Sequence, residues 1–395
     1  MKSSIRTILA FVLTGSMLLP LAACNKTKTT KDKEKTTKAE DTASDDESTQ
    51  DKEAGSSQDT EKDEDQSKTQ QANPTQSSQE AFYHAEECAE LKLAPIADVE
   101  FDTTIFNNTS IAGDRILVNV LVSLEEKSME EKILEKNYQT VGDNLYTSLQ
   151  LFDLTGKNIA TIAMDENCIF ENAFAIENGE ILVITHKFND GECVTSPVVF
   201  VISPSGERLR DLTFEASANL YGAHVYPMEN GNFFIAAQEN LFLFDSEGTL
   251  IKQNSETSLG PFMNYCEGKW YVAHIALPYT EIGGFQEVDI NTGELLQKYT
   301  SDRTISIDLT NNTDCFVFTE DGIQKYLITE DKTVPVLSPA NTDLAFTDLK
   351  NCQIRPDGSM IVLNSVPNRD IDTEKTDYIG SDANKMSVAR LTREE

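Results

Sequence analysis

A strand–turn–strand pattern recurs along the chain from about residue 149 onward. Its first copy, at 149–162, alternates apolar and polar residues into an Asp-x-x-Gly turn and out again, which is typical of a β-hairpin. Similar segments follow at 198–212, 241–253 and 285–299, and a looser copy lies at 323–337. The turn glycines of the first four copies are 50, 42 and 45 residues apart: Gly156, Gly206, Gly248 and Gly293. Short strands repeating every ~40–50 residues are typical of the blades of a β-propeller.

Six apolar segments, each following a Gly or polar turn, mark the second strand of a blade. They lie at 113–120, 179–186, 231–238, 268–274, 314–319 and 358–365. Five are followed by a hairpin, whereas the sixth is followed only by a single strand at 386–391. A propeller has to close, because an open ring exposes the apolar faces of its end blades. We therefore predict an all-β, six-bladed propeller in which a strand within 90–101 completes the blade formed by 344–391. Seven blades are the alternative if 81–109 contains more than one strand.

Two segments depart from the repeat. Residues 123–143 interrupt the first blade, and Ser128 and Glu131 have the spacing of a capping box, which predicts a short helix. Residues 366–385 are polar and rich in Asp, as expected of a surface loop.

The first 23 residues combine basic Lys2 and Arg6 with an apolar run at 8–21, which is typical of a secretory signal sequence. The run is too short and too interrupted for a transmembrane helix. It ends in Leu-Ala-Ala-Cys, which resembles the lipobox of bacterial lipoproteins. The resemblance implies that Cys24 is diacylated and becomes the mature N-terminus. Each buried CH₂ contributes about 0.8 kcal/mol, so the acyl chains would hold the protein at a bilayer.

The segment after Cys24 is rich in Lys, Asp, Glu, Ser, Thr and Gln, with almost no apolar residue up to about residue 80. Such a segment cannot repay the entropy of ordering and is predicted to be a disordered tether. Its ~55 residues span roughly 40 Å on average. The predicted organisation is a signal peptide (1–23), a lipidated cysteine with a disordered linker (24–80) and a propeller domain (81–395), located on the extracytoplasmic face of the cell membrane.

The formal net charge of -33 repels nucleic-acid phosphates, so we expect no nucleic-acid partner. The sequence also lacks a Gly-x-Ser-x-Gly elbow, a His-Glu-x-x-His pair, a Walker loop and an EF-hand. Asp153, Asp245 and Asp289 recur at one hairpin position, which favours hydrogen bonds to their own turn backbone over a cation site. We predict no catalytic residue, no metal ligand and no cofactor.

Six cysteines other than Cys24 lie in or beside different predicted strands, and no Cys-x-x-Cys pair occurs. This arrangement favours free, largely buried thiols over three disulfides. The six are Cys88, Cys168, Cys193, Cys266, Cys315 and Cys352.

Three polar residues occupy one position of the repeat. Asn172, His224 and Asn351 each stand seven residues before a turn glycine, in the predicted first strand of a blade. First strands line the channel of a propeller, so these residues are candidates for a ring that holds water, a cation or a small ligand. Ordinary polar groups around channel water are the alternative.

The turn Arg355-Pro356-Asp357-Gly358 and the hairpins at 245–248 and 291–294 resemble those of six-bladed TolB-like and NHL-like propellers. The resemblance covers roughly 90–393. The whole arrangement is also similar to surface lipoproteins of Firmicutes in which a tethered propeller precedes an ABC-transporter solute-binding domain. No such domain follows the propeller in this sequence, which favours an accessory role in an envelope or uptake complex.

These observations predict a lipid-anchored propeller that acts as a binding or interaction module for a protein partner or a small extracellular ligand. We expect a binding protein rather than an enzyme. The alternative is a lyase or hydrolase acting on glycans or lactones, with its site at a mouth of the channel.

Overall fold

The computed structural model describes residues 81–394, apart from gaps at 94–95, 97–98, 100–102, 125–128, 143, 190–191, 215–219, 221–222, 277–280, 307–313, 320, 346–348 and 368–383. The predictions for the signal peptide, Cys24, the tether and most of the 366–385 loop lie outside these residues. None of the helices in the described part has the length and apolar character needed to cross a membrane.

The described strands form six antiparallel sheets, which are the predicted six blades. The first strand, β1 (Tyr83–Glu90), belongs to the last blade. Blade 1 contains β2 (Thr103–Ala112), β3 (Arg115–Ser123), β4 (Gln139–Gly142), β5 (Leu145–Asp153) and β6 (Asn158–Ile162), with a helix α1 (Glu130–Leu134) between β3 and β4. Blade 2 contains β7 (Cys168–Ala175), β8 (Ile181–Asn189), β9 (Glu192–Ile202) and β10 (Arg208–Leu212).

The remaining blades follow the same meander. Blade 3 contains β11 (His224–Pro227), β12 (Phe233–Ala237), β13 (Asn240–Phe244) and β14 (Leu250–Ser255). Blade 4 contains β15 (Leu259–Cys266), β16 (Lys269–Ala276), β17 (Glu281–Val288) and β18 (Leu295–Ser306). In blade 5 the described residues form β19 (Phe316–Thr319), β20 (Gly322–Leu327) and β21 (Lys332–Leu337). Blade 6 contains β22 (Leu349–Ile354), β23 (Met360–Pro367), β24 (Asn384–Arg393) and β1.

The last blade is completed by the first strand of the domain. β1 pairs antiparallel with β24, with Ala89 opposite Val388. Beyond the strand, the Leu91 amide donates a hydrogen bond to the Met386 carbonyl at 2.8 Å. Closure by an N-terminal strand is therefore confirmed, but its predicted position within 90–101 was wrong, because the pairing strand is Tyr83–Glu90.

The error has a physical cause in the way each segment is buried. Leu91 and Ile96 are buried in the apolar cluster between blades 6 and 1, so their alternation reflects packing rather than a sheet ladder. β1 shows little apolar pattern because only small or amphipathic residues face the core, with Tyr83 and Ala85 against one cluster and Ala89 against another, whereas His84, Glu86 and Glu90 are exposed.

Each pair of neighbouring blades buries one apolar cluster, and six clusters account for the six interfaces of a closed ring. The second strand of a blade contributes side chains to the interfaces on both sides of that blade. In β12, Phe233 and Ile235 pack toward blade 2, whereas Phe234 and Ala236 pack toward blade 4. A side chain of this kind contributes about 1.5–3 kcal/mol when fully buried, so the interfaces are the main source of stability.

The need for glycine at the hairpin turns follows from the same interfaces. At each of the four hairpins the glycine has a positive φ and lies against the preceding blade or, in blade 1, against the end of β1. A Cβ on Gly248 would lie 2.2 Å from the Thr213 carbonyl oxygen just after blade 2. The corresponding contacts are Gly156 with Glu90, Gly206 with Ala160, and Gly293 with Lys252.

The turn aspartates bind their own backbone, as predicted. Asp245 accepts hydrogen bonds from the amides of Glu247 at 3.0 Å and Thr249 at 2.8 Å. Asp153 and Asp289 make the equivalent bonds in their own turns.

The inserted helix is present as α1, but it begins after Met129, with no side-chain capping bond. Four cysteines are free and buried, in line with the prediction: Cys168, Cys266, Cys315 and Cys352. The side chains of Cys88 and Cys193 lie outside the described part.

Replacement of Gly248 by Ala should destabilise the protein more than the same replacement at Gly231. Both residues have a positive φ, which costs an alanine about 1–2 kcal/mol. A Cβ on Gly231 meets no atom within 4 Å, whereas Gly248→Ala must also displace the Thr213 backbone. We expect a further loss of about 1–3 kcal/mol for Gly248→Ala, measured by denaturant unfolding. Equal losses for the two variants would contradict the proposed packing role.

Candidate functional site

The first strands of the blades face one another around the centre of the ring. β2 contacts both β7 and β22, and β11 contacts β15. The three candidate residues occupy the same height in these strands. Each pairs with the residue five positions after its turn glycine: Asn172 with Ile184, His224 with Ala236, and Asn351 with Leu363.

The two asparagines join neighbouring blades to β2. Asn172 accepts a hydrogen bond from the Ser110 hydroxyl, and Asn351 donates one to the Thr109 carbonyl at 2.8 Å. Each amide oxygen also accepts the N–H of the next residue, again at 2.8 Å. These bonds hold blades 2 and 6 to the two sides of blade 1.

His224 instead joins a cluster with two residues of blade 2. One carboxylate oxygen of Glu171 accepts a hydrogen bond from Nδ1 of His224, and the other accepts one from Nε2 of His186. The ring centroids of the two imidazoles are 6.3 Å apart and nearly perpendicular. We call Glu171, His186 and His224 the His–Glu–His cluster.

Irregular strand pairing places these side chains together. The β7–β8 ladder shifts register between Phe170 and Asn172, so Glu171 is the extra residue of a β-bulge. The β8–β9 ladder shifts directly after His186. Bulges bend a strand and redirect a side chain, and they are common beside active sites. His224 reaches the cluster from blade 3 as the first residue of β11.

The cluster is mostly buried but reaches solvent. The side chains of Glu171, His186 and His224 are 19%, 14% and 26% exposed. Burial opposes ionisation of Glu171, but the two imidazoles outweigh it and the pKa of Glu171 lies below its ordinary value. Burial likewise lowers the pKa of His186, yet the Glu171 charge and hydrogen bond prevail and raise it.

The hydrogen bonds fix which nitrogens are available. An ionised carboxylate only accepts, so Nε2 of His186 and Nδ1 of His224 carry the protons. Nδ1 of His186 and Nε2 of His224 have no partner among the described residues and are available to a ligand. Phe262 lies against His224, with ring centroids 5.2 Å apart, and supplies an apolar wall.

Metal binding finds no support from side-chain geometry. Within the described ranges, no group of three or more His, Cys, Asp or Glu side chains is arranged to hold a metal ion. In the cluster itself, the carboxylate oxygens are occupied by the imidazoles.

Sequence analysis identified neither Glu171 nor His186 as a site residue. A weak signal was present, because Glu171 is a charged residue in the otherwise apolar and polar-uncharged strand Cys168–Ala175. The bulge that aims this carboxylate, and the approach of β11 from another blade, arise only in the folded ring.

No family model matches the chain, and no curated protein sequence is significantly similar to it. The solved structures with a similar fold include a streptogramin B lyase, at 9% identity and a TM-score of 0.40, covering 79% of this chain and 98% of that one. The WD40 domain of Neurospora crassa Pan2 matches at 10% identity and a TM-score of 0.38, covering 72% and 80%. A protein of unknown function from Bacteroides caccae matches at 10% identity and a TM-score of 0.33, covering 65% and 69%. At these values the similarities say nothing about ligand or activity.

Replacement of Glu171 by Gln should destabilise the protein in a pH-dependent way. The raised pKa of His186 stabilises the fold fully below its ordinary value of 6.5, and this contribution is lost as the pH rises through the raised value. The lowered pKa of Glu171 stabilises the fold at pH values above its ordinary value of 4.5, and this contribution is lost as the pH falls toward the lowered value. The difference in Tm between the wild type and Glu171→Gln should therefore be largest between these two values.

Calorimetry from pH 4 to 9 measures this difference, and NMR titration of His186 should show its pKa falling in the variant. Glu166→Gln is a suitable control because Glu166 is exposed in the turn before the same strand. A Tm difference that does not change with pH would contradict the electrostatic coupling.

Proposed function

We propose that this protein is a lipid-anchored, extracytoplasmic propeller that binds a small ligand or a segment of a protein partner at the His–Glu–His cluster. The observation that carries the proposal is a mostly buried carboxylate held between two imidazoles of adjacent blades, with one nitrogen of each ring unused. Such a convergent polar group beside an aromatic wall is typical of a ligand site.

Comparison among the blades indicates that the fold itself does not require this carboxylate. The first strands β2 and β22 contain bulges equivalent to that of β7, with Asn108 and Lys350 at the position of Glu171. Three different side chains therefore occur at the same bulge position. A buried carboxylate is costly unless paired, so its presence in one blade favours a role in function.

The chemistry of the cluster favours a ligand with hydroxyl or amide groups. A neutral imidazole accepts a hydrogen bond through its free nitrogen, whereas a protonated one donates. The raised pKa of His186 favours its protonated form, in which Nδ1 can donate a hydrogen bond to a hydroxyl or amide oxygen of the ligand. Phe262 adds a surface on which the apolar face of a sugar or peptide can pack.

The proposed location comes from the N-terminal sequence. Basic Lys2 and Arg6, the apolar run and the Leu-Ala-Ala-Cys end support export and acylation of Cys24. The polar segment up to residue 80 would let the propeller stand away from the bilayer. A role accessory to an envelope or uptake complex fits this placement.

Catalysis is the second candidate, and one observation favours it. A carboxylate that holds an imidazole by one nitrogen and leaves the other free is the arrangement of general bases. His224 has the most exposed of the three side chains. In that case its Nε2 would accept a proton from a substrate, and Glu171 would be the positioning residue of the imidazole.

Replacement of Cys24 by Ser should release the protein from membranes. Without the thiol no diacylglycerol is attached, and most of the protein should move to the soluble fraction, judged by fractionation and by mass spectrometry of the N-terminal peptide. Cys88→Ser is the matched control and should leave the protein in the membrane fraction. An unmodified Cys24 in the membrane-bound wild type would disprove the anchor.

Replacement of His224 by Ala should weaken ligand binding at least tenfold, because it removes the imidazole whose free Nε2 would bind the ligand and leaves Glu171 without one of its partners. The assay is a thermal-shift panel of neutral sugars, amides and dipeptides, followed by titration calorimetry and by mass spectrometry for products. Formation of a product that requires His224 would favour the enzymatic alternative.

His84→Ala is the control, since His84 is half exposed on β1, in a different blade. Absence of binding across the panel, or equal binding by the wild type and His224→Ala, would contradict the proposed site.

A further inference from the structure

A cavity lies at the other end of the first strands. The cavity, of about 510 Å³, opens between the turns of blades 1, 2 and 6. Its lining includes Asp114 from the β2–β3 turn and Arg115 at the start of β3, Gln353 and Arg355 from the end of β22 and the turn after it, and Pro204 from the β9–β10 turn. The His–Glu–His cluster lies instead toward the starts of β7 and β11, so the two sites are separate.

Two arginines in one cavity are notable in a chain with 33 basic and 66 acidic residues. Both side chains donate hydrogen bonds to backbone carbonyls. Nε of Arg115 donates to the Pro204 carbonyl at 2.9 Å, and its Nη1 donates to the Asp114 carbonyl at 3.0 Å. Nη2 of Arg355 donates to the Asp114 carboxylate and, at 3.4 Å, to the Gly113 carbonyl.

These contacts leave donors available in both guanidinium groups. An arginine carries five N–H groups, and the hydrogen bonds of Arg115 and Arg355 to described residues use only part of them. A guanidinium held in this way is suited to a carboxylate, which it can bind with two parallel hydrogen bonds.

Asp114 forms an ion pair with Arg355 but leaves the cavity open. Its side chain is 70% exposed, whereas that of Arg355 is 21% exposed. Exposed ion pairs contribute little to stability, so a ligand carboxylate can replace Asp114 at a small cost. Asp114 thus competes with the ligand for Arg355.

We propose that this cavity, with Arg115 and Arg355 in its wall, binds a small carboxylate, such as a sugar acid or hydroxy acid. The volume lies in the range of small-molecule sites. Together with the His–Glu–His cluster, the propeller would then have two ligand-binding sites, one at each end of its central strands.

Titration calorimetry of the purified protein with glucuronate and glucose tests the proposal, because the two sugars differ in the carboxylate. We expect glucuronate to bind at least tenfold more tightly than glucose. Arg115→Gln and Arg355→Gln should each weaken glucuronate binding at least tenfold. Asp114→Asn should strengthen it severalfold, because the competing charge is removed while the fold is preserved.

Arg210→Gln is the matched control, since Arg210 lies on β10, pairs with Glu180 at 2.7 Å and is half exposed. It should leave the affinity unchanged. Thermal unfolding shows whether each variant is folded; if Arg355→Gln is not, Arg115→Gln and Asp114→Asn decide the outcome. Equal affinity for the two sugars, or no heat with glucuronate, lactate, malate and glutamate at 10 mM, would overturn the proposal, as would wild-type affinity in the folded arginine variants.

Discussion

Closure of the ring is the constraint on which the rest of the structure depends. Every blade has two apolar faces, and six interfaces bury them only if the first and last blades meet. Pairing of Tyr83–Glu90 with Asn384–Arg393 brings the two ends of the domain into one sheet, so the last interface, where Ile361 and Leu363 pack against blade 1, forms with the others. The stability of each blade is thus tied to that of its neighbours.

The closed ring also explains why some positions repeat and others are free to vary. Hairpin glycines recur because each turn lies against the blade before it, where a Cβ on Gly206 or Gly248 would collide. The first-strand bulge recurs as well, but its side chain differs from blade to blade, as Asn108, Glu171 and Lys350 show. Backbone geometry is therefore shared among the blades, whereas chemistry is assigned blade by blade.

The two ends of the central strands differ in charge and in the groups they offer. At one end Glu171 holds two imidazoles in fixed orientations. At the other, Arg115 and Arg355 line one cavity, and each donates a hydrogen bond to a backbone carbonyl. In both places residues of at least two blades converge, which a single blade cannot provide. The propeller ring therefore brings these polar groups together by assembly of the blades rather than by local sequence.

The sequence by itself determined the architecture, because alternation, turn chemistry and glycine spacing are local properties of each hairpin. It also indicated that Asn172, His224 and Asn351 share one height, since the repeat sets their register. Only the tertiary structure decided that the asparagines join blades while His224 meets Glu171, because these contacts cross between blades. The closing strand was misplaced for a related reason: Leu91 and Ile96 alternate through burial between blades, whereas the strand that pairs has exposed polar residues and little apolar signal. Contacts between distant segments depend on how the ring closes, and no local pattern records them.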